Sequence, residues 1–357
     1  MSIETINTTP FSVFSFEHML FHGRRYQIVI LKQSYALREN GSVVQMHKQR
    51  PIRLGDTHLG ELDRSSVLLP GDLIPYKPRC EIILTGSARV PQPAASWLAG
   101  VGLGEWSKGV RLYGPREWRK GLLGGWKLGE AQATDSTPLL YEHAYGGNFE
   151  LAGDSPEAGP LLAAYGPNPA GSGWLGKAPH VDLSRTQRKA LDERIDNLTS
   201  LPAPRIEAIQ QAIDEPGEDY EPVGFGAFPA WWQARSKYLA DMAPPAPDQR
   251  GYPSDFDMAY WQQAPADQWL PFEVKGGETL VLANLLPEGR QEYVLPRSSS
   301  FLHLRSPTDI SMSLDMQIDT LLVDLDARVL EVVWRRIVQL DELGPDVRIE
   351  VISQPLG

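Results

Sequence analysis

The hydrophobic pattern first predicts a strand from Tyr26 to Leu37. There Tyr26, Ile28 and Ile30, and out of phase Gln27, Val29 and Leu31, give a strand rich in β-branched groups. Asn40-Gly41 follows and predicts a tight hairpin turn built on positive φ angles, with Ser42 to Met46 as the returning strand. The same pattern predicts strands at Glu81 to Ala88, Val110 to Tyr113, Thr279 to Leu286, Tyr293 to Leu295, Ser311 to Ile318, Thr320 to Val323, Val329 to Gln339 and Val347 to Ile352, most of them bounded by glycine, proline or aspartate. The C-terminal hundred residues carry the cleanest signal: Leu321 to Val323 and Val329 to Trp334 flank a polar turn at Asp324 to Arg328, and this end reads as a sheet packed on another sheet.

Helical periodicity is confined to the middle of the chain. Ser184 and Gln187 form a capping-box pair ahead of Leu191, Ile195 and Leu198 on one face, and that helix should end before Pro202. Pro204 predicts a second helix carrying Ile206, Ile209 and Ile213 and stopped by Pro216-Gly217. A third, Trp231 to Met242, is closed by Pro244-Pro245-Ala246-Pro247. The expected fold is mainly β (α+β), antiparallel sheets packed as sandwich-like layers with a few short helices. It divides into a β-rich region over 1–180, a helical and proline-rich connection over 181–250 and a β-sheet region over 251–357, together one compact unit. No repeat of fixed period is present.

Composition narrows the function. A chain of 357 residues buries about 75% of its unfolded surface, so a core forms without staples. The lone Cys80 has no internal disulfide partner, no secretory leader pattern opens the sequence, and no apolar run approaches the ~18 residues of a membrane span. The expected address is the cytoplasm. Acids outnumber bases 45 to 34, a net charge of −11, which disfavours nucleic acid; Arg24-Arg25 and Arg116 to Lys120 are too short to reverse that field. Glycine (32) and proline (30) together exceed ordinary usage, as short strands joined by many turns require.

Catalytic motifs are thin. Gly100, Gly102 and Gly104 give GxGxG where a dinucleotide site wants GxGxxG between strand and helix, and read better as a glycine-rich turn. Neither a phosphate-binding GxxxxGK[ST] nor a GxSxG nucleophile elbow occurs. His18 and His22 have helical ligand spacing but lack the glutamate base of zinc hydrolases. No catalytic, metal-binding or cofactor-binding residue is assigned. Among the carboxylates, Asp319, Asp324 and Asp326 lie around the late hairpin and Asp255 and Asp257 flank Phe256; two apart in a strand, the latter could meet glycosidase spacing, and with Glu278 and the tryptophans they support an alternative, a carbohydrate-active or carbohydrate-binding β-sandwich. Against it, Ser254-Asp255 beside Pro253 reads as a turn whose oxygens bond backbone amides. Trp231, Trp232, Tyr238, Tyr252, Phe256, Tyr260, Trp261 and Trp269 crowd into forty residues and either plug a core or form a recognition surface.

Separated segments share an order and spacing that resemble the type VI secretion adaptor family, encoded beside VgrG spikes, PAAR-tipped proteins and toxic effectors. They are Gly71 to Pro78, Lys108 to Gly114 with Arg116 and Trp118, Pro138 to Gly147, Asn168 to Gly173, Gly224-Phe225-Gly226 with Trp231 and Arg235, Asp255-Phe256-Asp257, Ala264 to Gln268, Gly276-Gly277-Glu278, Asp319-Thr320 and Trp334-Arg335. The resemblance implies a non-enzymatic, cytoplasmic loading chaperone without cofactor. It would hold a type VI effector near its PAAR or other N-terminal region and deliver it to the VgrG spike, with no nucleic acid or membrane partner. One departure follows Arg235, where Ala240-Asp241-Met242 stands in place of the family's glycine-threonine pair and further tryptophan. On this view Trp231, Trp232, Arg235, Tyr252, Asp255, Asp257 and Tyr260 build or brace the client surface, the arginine and aspartates giving polar register.

Overall fold

The β-branched segment expected from Tyr26 runs as the strand Arg25–Leu37 in a computed structural model that describes residues 3–20, 23–121, 124–153, 155, 158–239, 250–253, 255–305, 311–341, 343 and 347–356. It pairs antiparallel along its length with Val329–Gln339, from Val329 opposite Ala36 to Gln339 opposite Tyr26. Its other edge carries Ser12–Met19 and Val43–Gln45. Val329–Gln339 pairs in turn with Gln317–Asp324, which takes Glu81–Thr85 as a parallel neighbour and completes a six-stranded sheet. Segments from both ends of the sequence therefore meet in one sheet.

Both faces of this sheet are covered, which is why the run Ile28, Val29, Ile30, Leu31 is wholly buried. Val29 and Leu31 share one core cluster with Val101 and Leu282 of a five-stranded sheet and with Leu302 and Ile349 of a four-stranded one. The second face turns Ile28, Ile30 and Val333 into one satellite cluster and Ile83 and Leu322, against Val67, Ala227 and Ala264, into another. The five-stranded sheet holds Ser96–Leu103, Trp106–Tyr113, Ile206–Ala208, Thr279–Leu286 and Gly289–Val294. The four-stranded sheet holds Glu4–Asn7, Ser298–Arg305, Ser311–Asp315 and Arg348–Pro355. The mainly β, layered expectation holds.

The helix Arg185–Asp196 also forms as expected, with the reciprocal Ser184–Gln187 capping box. Other elements differ for identifiable reasons. In the first hairpin only Gly41 takes a positive φ, of 80°; Asn40 instead accepts from Ser42 N at 3.1 Å and Oγ at 2.7 Å. Glu81 to Ala88 breaks at Gly86 into Glu81–Thr85 and Ser87–Ala94, and Ser311 to Ile318 divides between Ser311–Asp315 and Gln317–Asp324. The GxGxG run is no turn: Gly100 and Gly102 lie inside Ser96–Leu103, and only Gly104, at φ 57°, turns the hairpin into Trp106–Tyr113. The helix expected after Pro204 is the strand Ile206–Ala208, since Leu112 opposite Ile206 and the buried Arg116–Glu207 pair reward an extended backbone over local propensity. Trp231 to Met242 contracts to the helical turns Gln233–Ser236 and Lys237–Leu239; residues 240–242 and the proline run at 244–247 lie outside the described residues.

Ions thread the second face of the central sheet. Lys32 and Glu331 are fully buried on adjacent strands. Lys32 Nζ donates to Asp72 and lies 3.4 Å from Glu331, which also accepts from Arg53 at 2.8 Å and Arg50 at 3.2 Å. Burial pushes the Glu331 carboxyl up, but Lys32, Arg53 and Arg50 outweigh it and hold it below its ordinary value. Because that folded value lies below the unfolded one, the stabilisation is complete above the ordinary carboxylate range and is lost as pH falls through the depressed value. Glu331→Gln should lower unfolding stability at neutral pH by about 3–5 kcal/mol and flatten the acid limb of the stability–pH curve, both read from urea titrations.

Candidate functional site

Two irregular segments, 221–239 and 255–270, close over the exposed edge of the central sheet, and charged groups fix them there. Glu81, on the edge strand and wholly buried, accepts from Lys77 Nζ at 2.6 Å, Gln262 Nε2 at 2.8 Å, Gln263 N at 2.9 Å and Ala264 N at 3.0 Å. Gln268 reaches Ile82 O at 2.5 Å and Phe225 O at 2.9 Å. Lys108 Nζ donates to Gly224 O, Asp267 Oδ1 and Gln268 Oε1 within 2.8 Å, so all three of its N–H bonds are used. Burial pushes its ammonium down to about 8, although Asp267 pulls the other way. Arg235, 3% exposed, donates to Phe228 O at 3.0 Å and Tyr260 O at 3.1 Å and stacks its guanidinium over Tyr260, joining the two segments.

Clefts open on both sides of the short helical turn Gln233–Ser236. The smaller, about 430 Å³, lies between the two latched segments and includes Phe228, Tyr238 and Trp269, with the Tyr238 and Trp269 rings 6.3 Å apart. The larger, about 760 Å³, lies between that turn and the 162–180 stretch; Tyr165, Pro167, Pro169, Ala178, Pro179 and His180 form one wall, Trp231 and Trp232 the other, and Asp63 reaches it from a hairpin tip. Trp231 is 45% exposed and stacks on His58 with ring centroids 5.3 Å apart. Gly166 lets Gln233 close in, since a Cβ there would stand 2.6 Å from Gln233 Oε1. Ala178 holds a φ of 46°, a left-handed conformation that a residue with a Cβ rarely adopts. His58 Nδ1 and Trp232 Nε1 are buried with no hydrogen-bond partner among the described residues.

The seven residues singled out from sequence do not form one surface. Trp232 is 1% exposed and packs on Tyr141 and Phe228, so it supports its exposed neighbour Trp231. Tyr252 belongs to a separate aromatic row: its ring stacks on Phe256 at 4.1 Å, and its hydroxyl meets His18 Nε2 at 2.7 Å. Phe256 in turn meets Tyr260, whose backbone is held by Arg235. Burial lowers the His18 pKa; His22 lies outside the described residues. Asp255 and Asp257 are both exposed, and Asp257 caps a turn by accepting from Ala259 N at 2.8 Å. Glu278 likewise accepts a turn amide, Lys275 N, at 2.8 Å. Asp63, His58, Pro167, Ala178, Pro179 and His180 were not legible as site residues, because they come from the separate 57–69 and 162–180 stretches, neither of which carries a local motif.

The chain belongs to a family described as an uncharacterized protein conserved in bacteria (DUF2169), whose profile matches residues 22–335. No curated protein and no solved structure matches it. Among the described residues, no helix is long and apolar enough to cross a membrane.

The burial contrast between neighbouring tryptophans gives a direct test. Trp232→Ala should cost about 3–5 kcal/mol in chemical denaturation, whereas Trp231→Ala should cost less than about 1 kcal/mol.

Proposed function

We propose that this protein acts by holding another polypeptide, as a cytoplasmic adaptor or chaperone of the type VI secretion kind. Its client is an effector, gripped near its PAAR or other N-terminal region and delivered to a VgrG spike. The observation that carries this reading is Trp231, a large ring left 45% exposed in the wall of a cleft, held between His58, on which it stacks, and the buried Trp232. Rings that rigid contribute much contact energy for little ordering cost, as binding anchors do. The net charge of −11 favours basic client segments and disfavours nucleic acid.

The segments that carry the family resemblance agree with a scaffold role. Asp72, Lys77, Lys108, Gln268, Asp319 and Arg335 all lie in buried polar contacts, with Arg335 bonded to Asp319 and to the carbonyls of Asp72 and Ile74. Asn168 Nδ2 donates to Tyr141 O at 2.8 Å and Tyr145 O at 2.9 Å. A carbohydrate-active site would instead need Asp255, Asp257 or Glu278 free beside exposed rings, and two of these are spent on turn amides.

Co-expression with type VI effector, PAAR and VgrG proteins from the same genome should yield a stable complex on size-exclusion chromatography. Failure of every one of them to co-purify, or turnover of a glycan abolished by Asp255→Asn, would overturn the proposal.

A further inference from the structure

The larger cleft has a chemistry that selects its occupant. Pro167, Pro169 and Pro179 with the Tyr165 ring face the Trp231 ring across it, an apolar, aromatic-walled surface of the kind that receives extended chain. Its rim continues outward as apolar surface. The hairpin Thr57–His58 to Val67–Leu69, whose His58 stacks on Trp231, carries Leu59 at 50% and Leu62 at 62% exposure in its loop. A small ligand enclosed by the cleft would leave those leucines in water, whereas a polypeptide running across the mouth covers them.

Charge fixes the sign of the partner. Asp63 is the single carboxylate lining the cleft, and no lysine or arginine lines it, among the described residues. Arg64, next to Asp63 in the chain, is shared between Asp63 at 3.3 Å and Glu150 at 3.0 Å, so one guanidinium serves two carboxylates, with the exposed Glu61 beside them in the same loop; Lys177, next to Ala178, lies 3.6 and 3.7 Å from Glu218 and Asp219. The loop itself is set by Gly60 N and Arg64 N bonding to Ser65 Oγ and Glu61 O at 3.1 and 3.2 Å.

We infer that this cleft binds an extended cationic segment of the client, its apolar side chains seated between Trp231 and the proline wall and a lysine or arginine set against Asp63. The inference rests on the adaptor reading for the source of the segment, but its chemistry is testable alone. The probe is a fluorescent synthetic peptide rich in proline and leucine with interspersed lysines, compared by anisotropy with a counterpart bearing glutamates in the lysine positions. The wild-type chain should bind the lysine peptide and discriminate against the glutamate one, and Trp231→Ala should weaken the lysine peptide about tenfold or more. Asp63→Lys should weaken the lysine peptide and narrow or invert the preference, while Val294→Ser, at an exposed position of the five-stranded sheet, should bind as wild type.

Absence of lysine-peptide binding, binding indifferent to Trp231→Ala, or a preference unmoved by Asp63→Lys would overturn the assignment. Co-purification separates this from the adaptor reading. Folded Trp231→Ala and Asp63→Lys chains that retain the effector would remove the cleft and leave the adaptor standing. A chain that binds the lysine peptide but no effector, PAAR protein or spike would remove the adaptor alone.

Discussion

Lys32, Glu331 and Glu81 sit on strands of the same sheet, each withdrawn completely from water, so each depends on partners that other stretches of chain supply. Desolvating an ion costs several kcal/mol, and only well-placed opposite charge and hydrogen bonds offset it. Arg50, Arg53 and Asp72 meet that need for Lys32 and Glu331, and Lys77, Gln262, Gln263 and Ala264 meet it for Glu81. Segments that would otherwise be free loops are thereby obliged to close over the sheet in one arrangement. The irregular half of the molecule is ordered by the ions of the regular half.

That closure shapes the surface. Glu81–Thr85 would present an open edge, but Leu84 N bonds to Phe225 O at 3.0 Å and Glu81 forms a bridge with Trp269, so both latched segments lie against it. Once they are fixed there, Arg235 ties them to each other, Trp232 fills the gap against Tyr141 and Phe228, and Trp231, the residue before it, is left 45% exposed. An exposed ring beside a buried one is thus a consequence of the latch. Gly146 belongs to the same construction: at φ 150° it lets Asn168 O approach to where a Cβ would stand 2.1 Å away, which brings the 168–173 turn onto the scaffold.

The regular elements were legible in sequence wherever one local signal decided them. Thr279–Leu286, Val329–Gln339 and the capped helix after Ser184 match because strand alternation, flanking turn residues and a capping box act within a few residues. Ile206–Ala208 was read as helix because its isoleucines are spaced for one, whereas pairing with Leu112 decides its conformation from nearly a hundred positions away. Gly100 and Gly102 misled in the opposite sense: glycine usually signals a turn, yet here Lys108 O stands 3.0 Å from where a Cβ of Gly100 would be. The crowded aromatics from Trp231 to Trp269 announced something unusual but not its division into a buried plug, an exposed ring and a row that meets His18. The cleft wall was invisible because the prolines and the histidine of the 162–180 stretch follow no strand or helix period and match no binding motif.

A buried ionic scaffold bears differently on stability and on recognition. Replacing such ions with packed apolar residues is often neutral or stabilising in other proteins, because the desolvation cost disappears with the charges. An apolar replacement for Glu81 would, however, also delete the acceptor that positions three consecutive residues, Gln262 to Ala264, and with them the neighbours of the smaller cleft. Hydrophobic contact is non-directional and would allow the segment to slide, while a carboxylate that accepts several N–H bonds holds one register. Where both clefts are walled by irregular chain, that register is what gives the surface beside the sheet a defined shape. Beyond what they contribute to stability, the buried charges around Glu81 therefore also set the geometry of the cleft wall that those residues help to form.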